Sequence, residues 1–133
     1  SWNAYVKSFL EAADVEYGII IGRDGKVLGE AGKIPVQITD KQADRFVWAT
    51  LGEKREDAKK NGVDIEHKDT KSNIHFTVLD GNFDGFYALA ASYSLASYRT
   101  KTAVVVGVSR SLSVSNTNTI VHRLANYIKS VNF

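Results

Sequence analysis

Ala103-Val104-Val105-Val106-Gly107-Val108, followed after a serine-rich loop by Ile120-Val121-His122-Arg123-Leu124-Ala125-Asn126-Tyr127-Ile128, decides the fold class of this chain. The first run is β-branched and does not alternate with polar residues, as in a central strand covered on both faces. In the second, Ile120, Val121, Leu124, Tyr127, Ile128 and Val131 return at steps of three and four, the spacing of an amphipathic helix. Asn116 or Thr117 stands where a cap is needed. A doubly covered strand leading into a helix with one apolar stripe calls for layers of helix on sheet.

Upstream of the valine run, Ser94 to Arg99 and Phe86-Tyr87-Ala88-Leu89-Ala90 read as two more strands. Ile74, Phe76 and Val78 alternate with His75, Thr77 and Leu79 before Asp80-Gly81-Asn82 closes the strand, and Val63, Ile65 and His67 alternate with Asp64 and Glu66. Lys68 to Asn73 is a polar turn between them. Glu53 to Lys60 is almost entirely charged and ends at Asn61-Gly62, a solvated short helix or loop. Thr39 and Gln42 have capping-box spacing, opening a helix with Ala43, Phe46, Val47, Thr50 and Leu51 inward. Tyr17 to Gly22 and Val27 to Ala31 flank Asp24-Gly25, a hairpin signal. Trp2, Tyr5, Val6, Phe9, Leu10 and Ala13 form the stripe of a first helix with Ser1 as its N-cap. The order is helix, hairpin, helix, meander, helix: an α+β domain with a central antiparallel sheet.

Composition narrows the function classes. The chain has 133 residues, 44% apolar and 24% charged, which fits one globular domain spanning 1–133. A net charge of +2 is too small for a nucleic-acid footprint. Without cysteine there is no disulfide, thiolate metal site or cysteine nucleophile. No stretch approaches the roughly 18 apolar residues of a membrane span, and no secretory signal is visible, so a cytoplasmic monomer is expected. Nor does the chain read as an enzyme. His67, His75 and His122 match no helical zinc spacing, the glycines at 22 and 25 make a hairpin rather than a phosphate loop, and the serines from Ser109 to Ser115 lack a nucleophile elbow. No cofactor and no metal are expected.

The opening Ser1-Trp2-Asn3-Ala4-Tyr5-Val6, the pair of strands around Arg99-Thr100-Lys101-Thr102-Ala103-Val104-Val105-Val106-Gly107-Val108, and the closing Val121-His122-Arg123-Leu124-Ala125-Asn126-Tyr127-Ile128 with aromatic Phe133 resemble the profilin family. The resemblance is specific at both ends and weak between about Leu51 and Ala90. It implies that both terminal helices pack on one face of the sheet and short helices on the other. It also implies binding of monomeric actin, a cytoskeletal location and an aromatic groove for proline-rich proteins.

For the groove it points to Trp2, Tyr5, Tyr127 and Phe133, with Leu28 where relatives usually carry a tryptophan. Trp2 and Tyr5 lie one helical turn apart; by themselves such pairs are often core, and Val6, Phe9 and Leu10 are the natural core anchors. A polyproline II ligand is already extended, so aromatic rings can hold it at small entropic cost. Leu28 lacks an indole and Phe133 a hydroxyl; each loss costs about 0.5–1.5 kcal/mol, so the expected proline affinity is weakened.

For actin the resemblance points to Asn118, Thr119, His122 and Arg123 on the last helix, His75 and Thr77 on a strand, and Arg99 and Lys101. Arg123 replaces an acidic residue of many relatives, altering charge complementarity. Lys7, Lys101, Arg123 and Lys129 are candidates for phosphoinositide headgroups. The alternative reading is a sensor or trafficking scaffold with a similar helix–sheet–helix sandwich.

Overall fold

The computed structural model describes residues 2–12 and 14–133, so the Ser1 cap and Ala13 of the first stripe lie outside the described residues. The elements are α1 (Trp2–Ala12), β1 (Tyr17–Gly22), β2 (Val27–Gly32), β3 (Val36–Gln37), α2 (Asp40–Leu51), α3 (Arg55–Asn61), β4 (Val63–His67), β5 (Asn73–Asn82), β6 (Gly85–Leu89), β7 (Ser94–Arg99), β8 (Ala103–Ser109) and α4 (Val114–Ser130). The eight strands form one sheet in the order β2-β1-β8-β7-β6-β5-β4-β3, every pair antiparallel.

The valine run supplies β8, between β1 and β7. Its alternate side chains serve different cores. Val104, Val106 and Val108 join Ile19, Ile21, Phe46, Phe76 and Phe86 beneath α2 and α3. Val105 joins Val6, Phe9, Ile20, Val121, Ala125 and Ile128 beneath α1 and α4. Terminal helices therefore cover one face and short helices the other, and the absence of alternation in β8 follows from burial on both sides.

Local signals hold where they are chemically specific. Thr39 Oγ1 accepts from the Gln42 amide at 3.2 Å while Gln42 Oε1 accepts from the Thr39 amide at 3.0 Å, so α2 opens on a complete capping box. Gly25, at φ +85°, makes the β1–β2 turn.

Three expectations are corrected. Helix α4 starts at Val114 with Ser113 as N-cap, earlier than Asn116 or Thr117, because Thr117 is buried and its hydroxyl bonds Ser94 Oγ at 2.7 Å. Strand β5 continues through Asp80-Gly81-Asn82; Asn82 Oδ1 accepts from the amides of Asp84 and Gly85 at 2.8 and 3.2 Å, which moves the turn to Phe83-Asp84. The charged stretch contains helix α3, and one of its residues, Arg55, is buried.

Candidate functional site

Helix α1 rests on β2 at Gly29, where any Cβ would come within 2.8 Å of the Trp2 carbonyl carbon. Asn3 Oδ1 accepts from the Glu30 amide at 3.1 Å and fixes the same end of the helix to the strand. Trp2 is thereby held half-buried at the helix start. Its ring centroid lies 6.1 Å from that of Tyr5 and 5.1 Å from that of Phe133, the latter nearly edge-on at 70°. Tyr5 meets Tyr127 at 6.2 Å and 65°. These spacings suit edge-to-face aromatic pairs, and the four rings expected to line a groove form one chain across α1 and the end of α4.

The side chains share their area between protein and solvent. Tyr127 is 54% exposed and Phe133 43%, whereas Val6, Phe9 and Leu10 are buried as core anchors. Between the helices runs an open groove of about 440 Å³ lined by Ala4, Tyr5, Ser8, Phe9, Leu124 and Tyr127. Leu124 was not among the expected residues, although its place one turn before Tyr127 signals it.

Leu28 reaches this side of the sheet through a β-bulge. Ile20 pairs with Gly29 and Ile21 with Val27, which leaves Leu28 as the extra residue. A Cβ on Gly22 would stand 3.7 Å from Leu28 Cδ1, and Gly22 pairs with Ala103 of the core under α1 and α4. Leu28 is 37% exposed there, an aliphatic side chain beside β2's contact with Trp2.

A second surface lies beside α4. That helix packs on β7 and β8 and reaches β6, so the same sheet face beyond it, on β6, β5 and β4, is open. Phe76 and Val78 point into the core beneath α2. The alternate residues His75 and Thr77 are exposed on the open face, and Leu79 beside them is 50% exposed. His75 Nδ1 is 2.7 Å from Asp64 Oδ1 across the register that pairs β4 with β5. From the helix, His122 stacks on Tyr98 at 4.4 Å and 20°, while Asn118 Oδ1 accepts from the Tyr98 hydroxyl. Thr119 and Arg123 are exposed. Burial pushes the Tyr98 hydroxyl pKa up from its usual value, with the Asn118 bond opposing.

Six of the eight actin candidates thus lie on α4 or the open strands beside it. The other two are separated from them. Strand alternation turns Arg99 to the opposite side from Tyr98, where its guanidinium donates to the Leu51 carbonyl at 2.7 Å and stacks 4.2 Å from the Phe83 ring. Burial lowers its pKa, assisted by nearby Arg23. Lys101 lies in the β7–β8 turn at the far end and donates to Asn132 Oδ1 at 3.1 Å. Of the four candidates for anionic headgroups, Lys129 is bonded to Asp84 at 3.5 Å and Lys101 to Asn132, while Lys7 and Arg123 project into solvent. Lys101 and Lys129 thus each engage a different polar partner rather than one another.

Asp64, Leu79, Tyr87 and Leu89 were missed as members of the open face. The signal for Tyr87 and Leu89 is their alternation with buried Phe86 and Ala88. Asp64 needs the pairing register, which sequence periodicity does not supply. Among the described residues no group of three or more histidines or carboxylates could hold a metal ion, and no helix is long and apolar enough to cross a membrane.

A comparison with protein families matches the profilin model to residues 1–133. Among solved structures, profilin IA of Acanthamoeba castellanii has a TM-score of 0.83 at 20% identity, covering all of both chains. Schizosaccharomyces pombe profilin has a TM-score of 0.81 at 15% identity, again with full coverage of both. Mouse profilin IIa, determined in complex with a double repeat from the FH1 domain of mDia1, has a TM-score of 0.70 at 20% identity, covering 100% of this chain and 99% of its own. At these identities the structural likeness is one of fold. A search of curated proteins found no match.

Proposed function

The chain belongs to the profilin family, and on that premise we propose that it binds monomeric actin and recruits proline-rich partners, regulating filament assembly. The observation that carries the proposal is the continuous chain of rings from Phe133 through Trp2 and Tyr5 to Tyr127, with two of its members about half exposed. An all-core role for these rings would bury them, as it does Phe46, Phe76 and Phe86.

In the proposed complex, the extended ligand lies across the rings, its pyrrolidines against aromatic faces. The Trp2 indole N–H and the Tyr5 and Tyr127 hydroxyls donate to ligand carbonyls, which have no partners within a polyproline II helix. Leu28 contributes apolar contact but no donor. Actin docks on Asn118, Thr119, His122 and Arg123 with the open strand face of His75 and Thr77, polar groups flanking apolar Leu79. Phosphoinositide headgroups are assigned to exposed Lys7 and Arg123, with Lys101 and Lys129 available on release from Asn132 and Asp84.

The groove is tested by titrating a proline-rich peptide and following tryptophan fluorescence. Trp48, 39% exposed on α2, also emits, so the comparison is made with Trp2→Ala. A saturable change that disappears in Trp2→Ala is the expected result. No change at about millimolar peptide, an affinity of only about 4 kcal/mol, removes the proline half of the proposal.

A further inference from the structure

The Phe133 ring can serve the groove only if the end of the described chain is held in place. The last turn of α4 releases the backbone at Asn132, which has φ +72°, a left-handed conformation that asparagine tolerates. The Asn132 amide donates to the Lys129 carbonyl at 3.0 Å and the Phe133 amide to the Ile128 carbonyl at 3.1 Å. The chain then turns toward the β7–β8 loop. There the Phe133 main-chain oxygen accepts three hydrogen bonds: from the Thr102 amide at 2.7 Å, the Thr102 hydroxyl at 2.9 Å and the Thr100 hydroxyl at 2.9 Å.

Thr100 is itself fixed. It is 1% exposed, and its hydroxyl oxygen accepts from the Ala103 amide at 2.9 Å. Thr102 is exposed, so its hydroxyl gains little from burial, yet it is directed at the same acceptor. Three donors converging on one oxygen leave Phe133 little freedom, and its ring meets Trp2 at 5.1 Å.

We propose that Thr100 and Thr102 are positioning residues for the groove, a clamp that holds the Phe133 ring against Trp2 and so pre-organises the aromatic surface for a proline-rich ligand. This rests on the proposed groove function for its ligand, but not for its geometry. Without the clamp, Phe133 pivots about Asn132 and the ligand must order it on binding. Thr102 is the residue to test, since Thr100 also braces the β7–β8 turn.

The experiment uses the full chain with Trp48→Phe, so that Trp2 is the sole tryptophan, and compares Thr102→Val with Thr102→Ser. Two quantities are read: the Trp2 indole N–H resonance without ligand, and proline-peptide affinity. Val removes the donor and keeps the shape; Ser restores the donor. The expected result is a displaced indole resonance and an affinity weakened about 3- to 10-fold in Thr102→Val, the scale of one hydrogen bond. Thr102→Ser should retain the parent resonance and lie within about 2-fold of its affinity, on the same scale. An unchanged indole resonance in Thr102→Val overturns the clamp. So does a displaced resonance with unchanged affinity, because the ring's placement then does not matter to the ligand. If the parent binds no peptide, the groove function fails, and the clamp as a pre-organising device for it fails with it; the resonance still reports whether Thr102 holds Phe133.

Discussion

Arg55 carries three jobs from one buried position. Its side chain is the charged member of α3 that turns inward, with the residue only 7% exposed. Nε donates to the Ala49 carbonyl at 2.7 Å, Nη2 to the Thr50 carbonyl at 2.8 Å, and Nη1 to the Asn82 carbonyl; the guanidinium also lies 5.7 Å from the centre of the Phe86 ring. Two of those acceptors belong to the last turn of α2, whose carbonyls lack helical partners and carry the negative end of the helix dipole. Burial lowers the Arg55 pKa, and the nearby Arg99 charge adds to that. The fork of donors is what the position requires, because a lysine ammonium cannot reach three divergent carbonyls with the same geometry. Arg55→Leu should cost about 3 kcal/mol, the sum of lost charged hydrogen bonds and stranded acceptors. Arg55→Lys should recover less than half of that loss. Urea unfolding midpoints measure both, and a loss below about 1 kcal/mol for Arg55→Leu would exclude this role.

At the scale of elements, Glu16 and Arg110 join the approach to β1 with the exit from β8. The Glu16 amide donates to the Val108 carbonyl at 2.9 Å, while its carboxylate accepts from the Arg110 amide at 2.8 Å and from Arg110 Nε at 3.0 Å. The Arg110 side-chain bond is the main reason that the Glu16 carboxyl lies below its ordinary pKa of 4.5; partial burial opposes it. A carboxyl lowered on folding stabilises the folded state above its unfolded pKa, and that contribution disappears as pH falls through the lowered folded value. Glu16→Gln should therefore reduce Tm at pH 7, and the gap to wild type should close as pH drops below 4.5. Arg110 is largely exposed, so the effect at pH 7 should stay under about 1 kcal/mol. Thermal unfolding from pH 7 to 3 tests the sign: a gap that widens in acid contradicts it.

The same scale explains what could be read from sequence. The capping box of α2 was legible because both partners lie within one turn. The start of α4 was not, because serines, asparagines and threonines from Ser111 to Thr119 are all plausible caps, and the choice depends on Thr117 reaching Ser94 on another strand. Strand β3 has two residues and leaves no periodic trace. Arg55 sits among solvated charges and acquires its burial from the end of α2, Asn82 and the Phe86 ring, all distant in sequence or outside its own helix. In the groove, Trp2 and Tyr5 were legible as helix neighbours, whereas the Thr102 contact to Phe133 spans 31 positions and requires the complete fold. Arg99 carried the right charge for a protein contact, but its orientation depended on which side β7 presents to α4.

For the whole molecule, the sheet separates a closed side from a partly open one that carries both proposed surfaces. One side is closed by α2 and α3 over Phe46, Phe76 and Phe86. The other is only partly covered, with α1 and α4 leaving a groove between them and open strands beside them. Helix α4 contributes to both proposed surfaces from different stretches: Asn118 to Arg123 beside the strands, and Leu124 and Tyr127 at the groove. From Asn118 to Tyr127 the axial rise is about 14 Å, enough for each surface to be changed separately. Thr77→Arg places a long cation in the middle of the open strand face without touching the terminal rings. It should weaken actin-monomer binding more than about tenfold, a little over 1.4 kcal/mol, and leave proline-peptide affinity within about twofold. Trp2→Ala should do the reverse. Monomer sequestration in a pyrene-actin assay, measured beside peptide titration on the same preparations, tests this exchange. Intact actin binding in Thr77→Arg would remove the strand face from the proposal. Loss of both affinities in either folded variant would show that the two surfaces are coupled through α4, and the independence inferred from their spacing would fail.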